Sequence, residues 1–197
     1  MLTSLLVATL TTLSATAKLT FDPMSQDPDL TSLLRFQNIE SWKLTFTGES
    51  LTGKTYEIRV KRFDNGKKVV DQLHLDAGEL PGTMGKVDKG ELKLTLMSQA
   101  KEGQAKIEFQ TPRFGNARTY EAKKTKFDYV MKNFLGAERS MSFDPSQETY
   151  FLAYLQPFEH GDGSTSYCEV AQSGQDPEKL FEKFKVPTYF LVSIKFK

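Results

Sequence analysis

The strongest constraint on the fold is the segment Tyr56–Leu75, which has the pattern of a β-hairpin. Apolar residues such as Ile58 and Val60 alternate with charged ones, and a period of two places successive side chains on opposite faces of a strand. Between the two arms lie Asn65 and Gly66, which tolerate the positive φ that a two-residue hairpin turn requires. A single hairpin is marginally stable in water, so its apolar face needs a partner from elsewhere in the chain.

Several other segments alternate in the same way and are separated by turn residues. They are residues 41–47, 92–96 and 105–109, while residues 117–122 and 140–143 are further short segments expected to form strands. Residues 148–158 and 188–197 are apolar on both faces, which is typical of strands buried from two sides. We expect Trp42–Leu75 to form a meander of three antiparallel strands. The glycine-rich segment Asp76–Gly90 is expected to cross to a second sheet or to form a surface flap.

Few segments favour helix. Residues 30–36 fit either one helical turn or a strand. Residues 126–135 fit both periods, and we favour helix because Gly136 would be a suitable C-terminal stop. Residues 173–184 are predicted to be helical, since Asp176 can cap the helix and Pro177 suits its first turn.

This pattern predicts an all-β, mainly antiparallel fold: a β-sandwich of about ten strands with one or two short helices. A closed β-barrel is the alternative, because alternation alone does not separate the two. The chain has 197 residues, and we expect residues 18–197 to form a single domain.

The N-terminal residues 1–17 resemble a secretory signal peptide. Residues 2–13 are apolar and uncharged, and Ala15-Thr16-Ala17 is the small-x-small pattern that precedes a cleavage site, although no basic residue comes first. We therefore expect an exported protein, periplasmic or extracellular, with no transmembrane segment in the mature chain. Its only cysteine, Cys168, excludes an intramolecular disulfide.

The charge balance gives no reason to expect a nucleic-acid partner. The chain has 26 basic and 25 acidic residues and a net charge of +1. The densest basic patch, Arg118 with Lys123, Lys124 and Lys126, is better explained by an edge strand whose lysines discourage pairing. Residues 76–90 match neither nucleotide-binding loop pattern, so we expect no cofactor.

Catalytic and metal-binding arrangements are weakly indicated. A Cys168–His160 pair would supply a nucleophile and a base, but a cysteine acting as a small apolar side chain is favoured. His74 falls on the solvent side of its strand, so the two histidines do not predict a zinc site. Three acids, Glu148, Glu159 and Asp162, are expected near one strand end, and the acidic loop Asp22–Asp29 lacks the spacing of a calcium site.

The sequence therefore favours an exported, non-enzymatic domain with a binding or structural role in the cell envelope, whose partner is an unknown protein or glycan. The alternatives are a carbohydrate- or peptide-binding module, a small secreted hydrolase and a lipid-carrying barrel. The candidate ligand-binding residues are Phe114, Phe158, His160 and Asp162, while Trp42 is in phase with core residues.

Overall fold

The computed structural model describes residues 16–23, 27–124, 127–135, 138–167 and 176–197. Over these residues the chain forms two facing antiparallel sheets and a small hairpin, with short helices between strands. The all-β sandwich predicted from the sequence is confirmed, and the described strands do not close into a barrel. Most of the predicted leader lies outside the described residues, so its removal stays a prediction.

The strands, in chain order, are β1 (Ala17–Pro23), β2 (Ile39–Thr47), β3 (Tyr56–Asp64), β4 (Lys67–Asp76), β5 (Glu91–Lys101), β6 (Gln104–Gln110), β7 (Gly115–Glu121), β8 (Val130–Asn133), β9 (Ser140–Phe143), β10 (Thr149–Leu155), β11 (Phe158–Glu159), β12 (Thr165–Ser166) and β13 (Thr188–Phe196). The α-helices are α1 (Pro28–Phe36) and α2 (Leu180–Phe184). The first sheet has the order β7-β6-β5-β2-β1-β9, and the second has the order β4-β3-β13-β10-β8.

Aromatic side chains from both sheets meet in the interior between them. The ring of Phe46 makes edge contacts with Phe143, Phe151 and Phe196 at centroid distances of 6.0, 5.8 and 5.8 Å. A smaller apolar cluster, including Leu180 of α2, covers part of the outer face of the second sheet. Strands β10 and β13 are therefore buried on both faces, as their sequences predict.

The predicted meander over Trp42–Leu75 is wrong. Strand β2 pairs with β1 and β5 in the first sheet, whereas the β3–β4 hairpin belongs to the second sheet. The inward side chains of β2 and β3 face each other across the core instead of lying side by side. Alternation cannot distinguish these arrangements. A strand buries every second side chain whether the next strand pairs with it in one sheet or packs against it from the other sheet. The predicted crossing at Asp76–Gly90 is confirmed, since β4 and β5 lie in different sheets.

Strand β4 contains two β-bulges that its sequence does not reveal. Its pairing with β3 shifts by one residue at His74 and again at Val69. Each extra residue moves the side chains that follow it to the opposite face of the sheet. His74 is consequently fully buried, so its predicted position on the solvent side is wrong. Val69, which the alternation places on the apolar face with Leu73 and Leu75, is 47% exposed, so that prediction is wrong too.

The two sheets are joined along one side by contacts between their edge strands β4 and β7. His74 Nδ1 lies 2.7 Å from the Tyr120 hydroxyl oxygen, and Arg118 Nε donates to the His74 backbone oxygen at 2.8 Å. Arg118 therefore belongs to this seam, while β7 is the sheet edge expected from the basic patch. Lys123, which follows β7, lies 3.9 Å from a carboxylate oxygen of Asp64.

The helices differ partly from the sequence prediction. In the described part of residues 126–135 the chain forms strand β8, because pairing with β10 satisfies its backbone and Met131 enters the core. Residues 30–36 belong to α1, which settles the choice left open by the sequence. Asp176 caps its segment as predicted, accepting from Glu178 N at 3.0 Å, although the first turn, Pro177–Lys179, is a 3-10 helix.

The Asn65-Gly66 turn supports a stability prediction. Gly66 has φ +78°, and a Cβ built there would lie 3.0 Å from Cδ1 of Phe181. We expect Gly66→Ala to lower the free energy of unfolding by about 1–2 kcal/mol, through the positive φ and this contact. Gly53→Ala is a matched control, because Gly53 has φ +75° and open space around it. Equal losses in urea denaturation would mean that the Phe181 contact costs nothing.

Candidate binding clefts beside helix α1

A cleft of about 330 Å³ lies between α1 and the chain entering β8. We call it the helix cleft. Its polar lining includes Arg35, Asn38, Glu40, Ser41 and Asp128, and the apolar side chains Leu34, Ile39 and Val130 also line it. A concave site with a few convergent polar groups and apolar walls is the usual form of a ligand-binding site.

Local sequence explains how α1 and β2 build this cleft. The Asp27 side chain accepts hydrogen bonds from the backbone N–H of Asp29 and of Leu30, at 2.9 and 3.2 Å, which starts the helix. At the other end Asn38 adopts φ +53°, a conformation that asparagine tolerates, and the chain turns directly into β2. This turn places Glu40 at the start of β2, on the wall of the cleft.

Burial raises the pKa of the Glu40 carboxyl above its ordinary value, although the nearby positive charge of Lys132 acts in the opposite direction. The carboxyl is consequently protonated at a higher pH than a hydrated glutamate, and it can then donate a hydrogen bond. The Ser41 hydroxyl oxygen is buried and has no hydrogen-bond partner among the described residues. A polar ligand or a water molecule would satisfy such a group.

Tyr167 lies beside these groups. Its hydroxyl donates to the backbone oxygen of Asp128 at 3.0 Å, and Lys132 Nζ lies 5.6 Å from the centre of its ring. Burial, followed by the negative charges of Asp128 and Glu40, raises the pKa of the Tyr167 phenol. Carboxylates and Arg35 of the helix cleft therefore lie close to a second cation, Lys132, and to the phenol of Tyr167.

A second cleft, of about 410 Å³, lies where β10 leads into the β11–β12 hairpin. We call it the hairpin cleft. Phe127, Pro157, Phe158 and Pro187 supply apolar walls, and charged residues also line it. The segment 127–129 contributes Phe127 to the hairpin cleft and its other two residues to the helix cleft. The two clefts therefore lie on either side of one short segment, at the α1 end of the sandwich.

The structure brings three of the four candidate ligand-binding residues into the β11–β12 hairpin. Of these, Phe158 lines the hairpin cleft. His160 packs edge-on against the Phe158 ring at 4.7 Å, and its Nε2 lies 3.2 Å from Ser166 Oγ. Asp162 accepts from the Ser164 N–H at 2.9 Å and from its hydroxyl at 2.7 Å, so it shapes the hairpin turn.

Phe114, the fourth candidate, lies at the opposite end of the sandwich, where β7 begins. It is half-buried against the main core, and its backbone oxygen accepts from Thr111 N at 2.8 Å. It therefore does not share a site with the hairpin residues. Cys168 lies outside the described residues, so the Cys168–His160 pair stays untested.

The predicted acid cluster is not formed. Glu148 precedes β10, whereas Glu159 and Asp162 follow it, so they lie at opposite ends of that strand. In the acidic loop Asp27 caps α1, and Asp22 belongs to β1. Within the described ranges no three His, Cys, Asp or Glu side chains group as metal ligands would.

A separate charged cluster lies on the outer face of the second sheet, around the buried Lys61. Its Nζ lies 3.0 Å from a Glu148 oxygen and 3.6 Å from a Glu178 oxygen. The Tyr150 hydroxyl hydrogen-bonds with both Lys61 and Glu178, and Ser193 Oγ donates to Glu148 at 2.6 Å. These groups satisfy one another and attach the segment before α2 to the sheet.

Little in the sequence indicates the helix cleft. Asp27, Pro28 and the leucine spacing of residues 30–34 are helix signals that would have predicted α1. Glu40 and Asp128 are far apart in the chain, and only the packing of α1 and β8 brings them to one cleft. No feature of the sequence connects them.

No protein-family model, curated protein or solved structure matches this chain. In the part of the chain that the structure describes, no helix is long and apolar enough to cross a membrane.

Proposed function

We propose that this protein is an exported, non-enzymatic binding domain that holds a protein or glycan ligand at the α1 end of its sandwich. The proposal rests chiefly on the two adjoining clefts around residues 127–129, which combine hydrogen-bonding groups with apolar rings. Loops at one end of a β-sandwich are a common place for recognition, because the rigid sheets position them. The leader-like sequence of residues 1–17 supports export.

The chemistry of the clefts favours recognition. The helix cleft offers Arg35 and Asn38 as donors and Asp128 as an acceptor, and the hairpin cleft offers apolar surface. Both histidines are engaged elsewhere: His74 is in the interior, and His160 is held within its hairpin. A ligand with polar groups for the first cleft and an apolar portion for the second would fit both.

Binding to glycan and peptide arrays tests this proposal. For a ligand found on either array, Glu40→Gln and Phe158→Ala are each expected to weaken affinity at least tenfold, which corresponds to about 1.4 kcal/mol. Glu108→Gln and Phe114→Ala are matched controls, because Glu108 lies on β6 of the first sheet and Phe114 lies at the far end. Affinity should be measured by calorimetry on variants that melt as the wild type does.

A ligand whose affinity falls with Glu108→Gln or Phe114→Ala, but not with Glu40→Gln or Phe158→Ala, would contradict the assignment of the α1 end. Blank arrays would count against a binding role.

A hydrolase is the second candidate, and the raised pKa of Glu40 favours it. A carboxyl that stays protonated in a cleft can act as a general acid, and Asp128 in the same cleft would be the second carboxylate. Turnover of a glycoside or ester panel, lost in Glu40→Gln and kept in Glu108→Gln, would replace the binding proposal with this one.

A further inference from the structure

The side of α1 that faces away from the helix cleft is apolar and exposed. Leu30, Leu33 and Phe36 are 43%, 57% and 82% exposed, and they follow one another at intervals of three residues. The opposite side of the helix, with Leu34 and Arg35, lines the helix cleft. We call the exposed side the α1 stripe; contiguous apolar surface of this kind commonly marks a contact with another molecule.

Helix α1 is formed without burying this stripe. None of the residues of α1 is buried in the domain. The Asp27 side chain caps its first turn, accepting from the Asp29 N–H at 2.9 Å, and the cleft side of the helix packs against β2. The stripe is therefore presented on a helix that is already ordered, so a partner need not supply the cost of folding it.

We propose that the α1 stripe inserts into an apolar groove on a second protein, in the manner of a helix docking into a groove. In this mode of recognition, apolar side chains spaced by three or four residues on one side of a short helix bind in the groove. This interaction is separate from the ligand clefts, because it uses the other side of α1 and does not depend on their occupation.

The area of the stripe argues against a second copy of this chain. Its exposed apolar surface is on the order of 350 Å², if a whole side chain of this size presents about 200 Å². A stable interface buries about 800 Å² on each partner. The stripe alone is too small for a flat homodimer contact, whereas the walls of a groove would also bury the exposed polar residues next to it, such as Ser32 and Gln37.

The charge of the stripe argues against an anionic lipid surface and indicates one property of the groove. Asp29 lies four residues before Leu33 and seven before Phe36, which places it on the same side of the helix. Arg35, the only base of α1, lies on the cleft side. Helices that lie on membranes carry several basic residues, so the complementary partner is a groove with a basic side chain opposite Asp29.

Photo-crosslinking in the cells that produce the protein tests this inference. A photoreactive phenylalanine analogue at position 33 or 36 is expected to give one discrete adduct with another protein, and the same analogue at Thr119 on β7 should give none. The purified partner should bind Leu33→Gln/Phe36→Gln at least tenfold more weakly than wild type. Asp29→Lys should also weaken binding, whereas Lys106→Ala should not.

Four crosslinking results would overturn the inference: no adduct from either position, an adduct of twice the chain mass, an adduct with lipid, or a crosslink within the chain to residues 1–15 or 168–175. Equal affinity of the double variant for the crosslinked partner would do so too. Failure of the array experiment on the clefts would leave this result unaffected, since the two surfaces lie on opposite sides of α1.

Discussion

Acidification from about pH 6.5 to about pH 4 is expected to cost this domain about 3 kcal/mol of stability through His74 alone. Burial lowers the pKa of this side chain from 6.5 to about 4; the hydrogen bond to the Asn116 backbone opposes this shift, and the charge of Arg118 adds to it. The His74 imidazole therefore binds a proton more weakly in the folded protein than in the unfolded chain. Urea denaturation across this pH range measures the effect.

The sign of the effect follows from that difference in proton binding. Between the two pKa values the unfolded chain binds more protons than the folded one, so the free energy of unfolding falls as the pH falls. The loss begins near pH 6.5 and is complete below about pH 4. Nε2 lies 3.5 Å from the Asn116 carbonyl, which only accepts, so Nε2 carries the proton and Nδ1 accepts from Tyr120.

His74→Asn is the matched variant, because an amide oxygen can still accept from the Tyr120 hydroxyl but does not titrate in this range. We expect it to be less stable than wild type at neutral pH and to lose less stability on acidification. Other groups, including Glu40 and the residues facing this site from β6 and β7, are common to both proteins and cancel in the comparison. Identical pH profiles would exclude His74 as the source.

Replacing Lys61 by methionine is expected to lower the free energy of unfolding by about 2–3 kcal/mol. The change leaves Glu148 and Glu178 facing the same site without the ammonium group that lies 3.0 and 3.6 Å from them. Loss of one partner of a buried ion pair typically costs about 3–5 kcal/mol, and the partial exposure of both carboxylates reduces this figure. Urea denaturation at neutral pH is the measurement.

The part of the loss that comes from the unpaired carboxylates can be separated from the part that comes from removing the long lysine side chain. Adding Glu148→Gln and Glu178→Gln to Lys61→Met should restore about half of the lost stability, because no uncompensated charge then remains. Lys93→Met is the control, since Lys93 makes an exposed ion pair with Glu91 at 2.8 Å and should cost less than about 1 kcal/mol. A triple variant less stable than Lys61→Met would contradict this explanation.

The same cluster predicts how the Lys61→Met defect depends on pH. Burial alone raises the pKa of Glu148, but hydrogen bonds from Ser193 and Lys61, together with the Lys61 charge, leave it below the ordinary value. In wild type this stabilisation is present above the unfolded pKa and is lost as pH falls through the folded one. The difference between wild type and Lys61→Met should therefore shrink in acid.

The sequence predicts the elements of this fold better than their arrangement. Alternation identified the β3–β4 hairpin and the doubly buried β10 and β13, because each pattern follows from burial of one face or two. It failed where one extra residue changes the faces, as at His74, and where β2 and β3 face each other across the core. Strand β8 was missed because a four-residue strand depends on its neighbour β10 for its hydrogen bonds.

Of the residues that line the two clefts, the sequence predicts only one, the aromatic Phe158. Phe158 lines a cleft, as expected of a loop aromatic beside a turn, but Phe114 has the same sequence signal and lies at the other end. The sequence around Glu40 and Asp128 does not mark them as site residues. Their possible role depends on the burial of Glu40 and on the packing that brings both side chains to one cleft. Electrostatic environment is a property of packing, which local sequence does not encode.

The irregular outer strand of the second sheet also bears on behaviour in concentrated solution. An unbroken outer strand offers a row of free amide and carbonyl groups to which another molecule can add, and repeated addition builds fibrils. Here the pairing of β4 is interrupted at two positions, Arg118 and Tyr120 of β7 cover its His74 end, and its other end begins with two lysines, so little regular strand is left for a neighbouring molecule to pair with. We expect this edge not to start fibrils, and we expect removal of the two bulges to make β4 available for addition of a strand from another molecule.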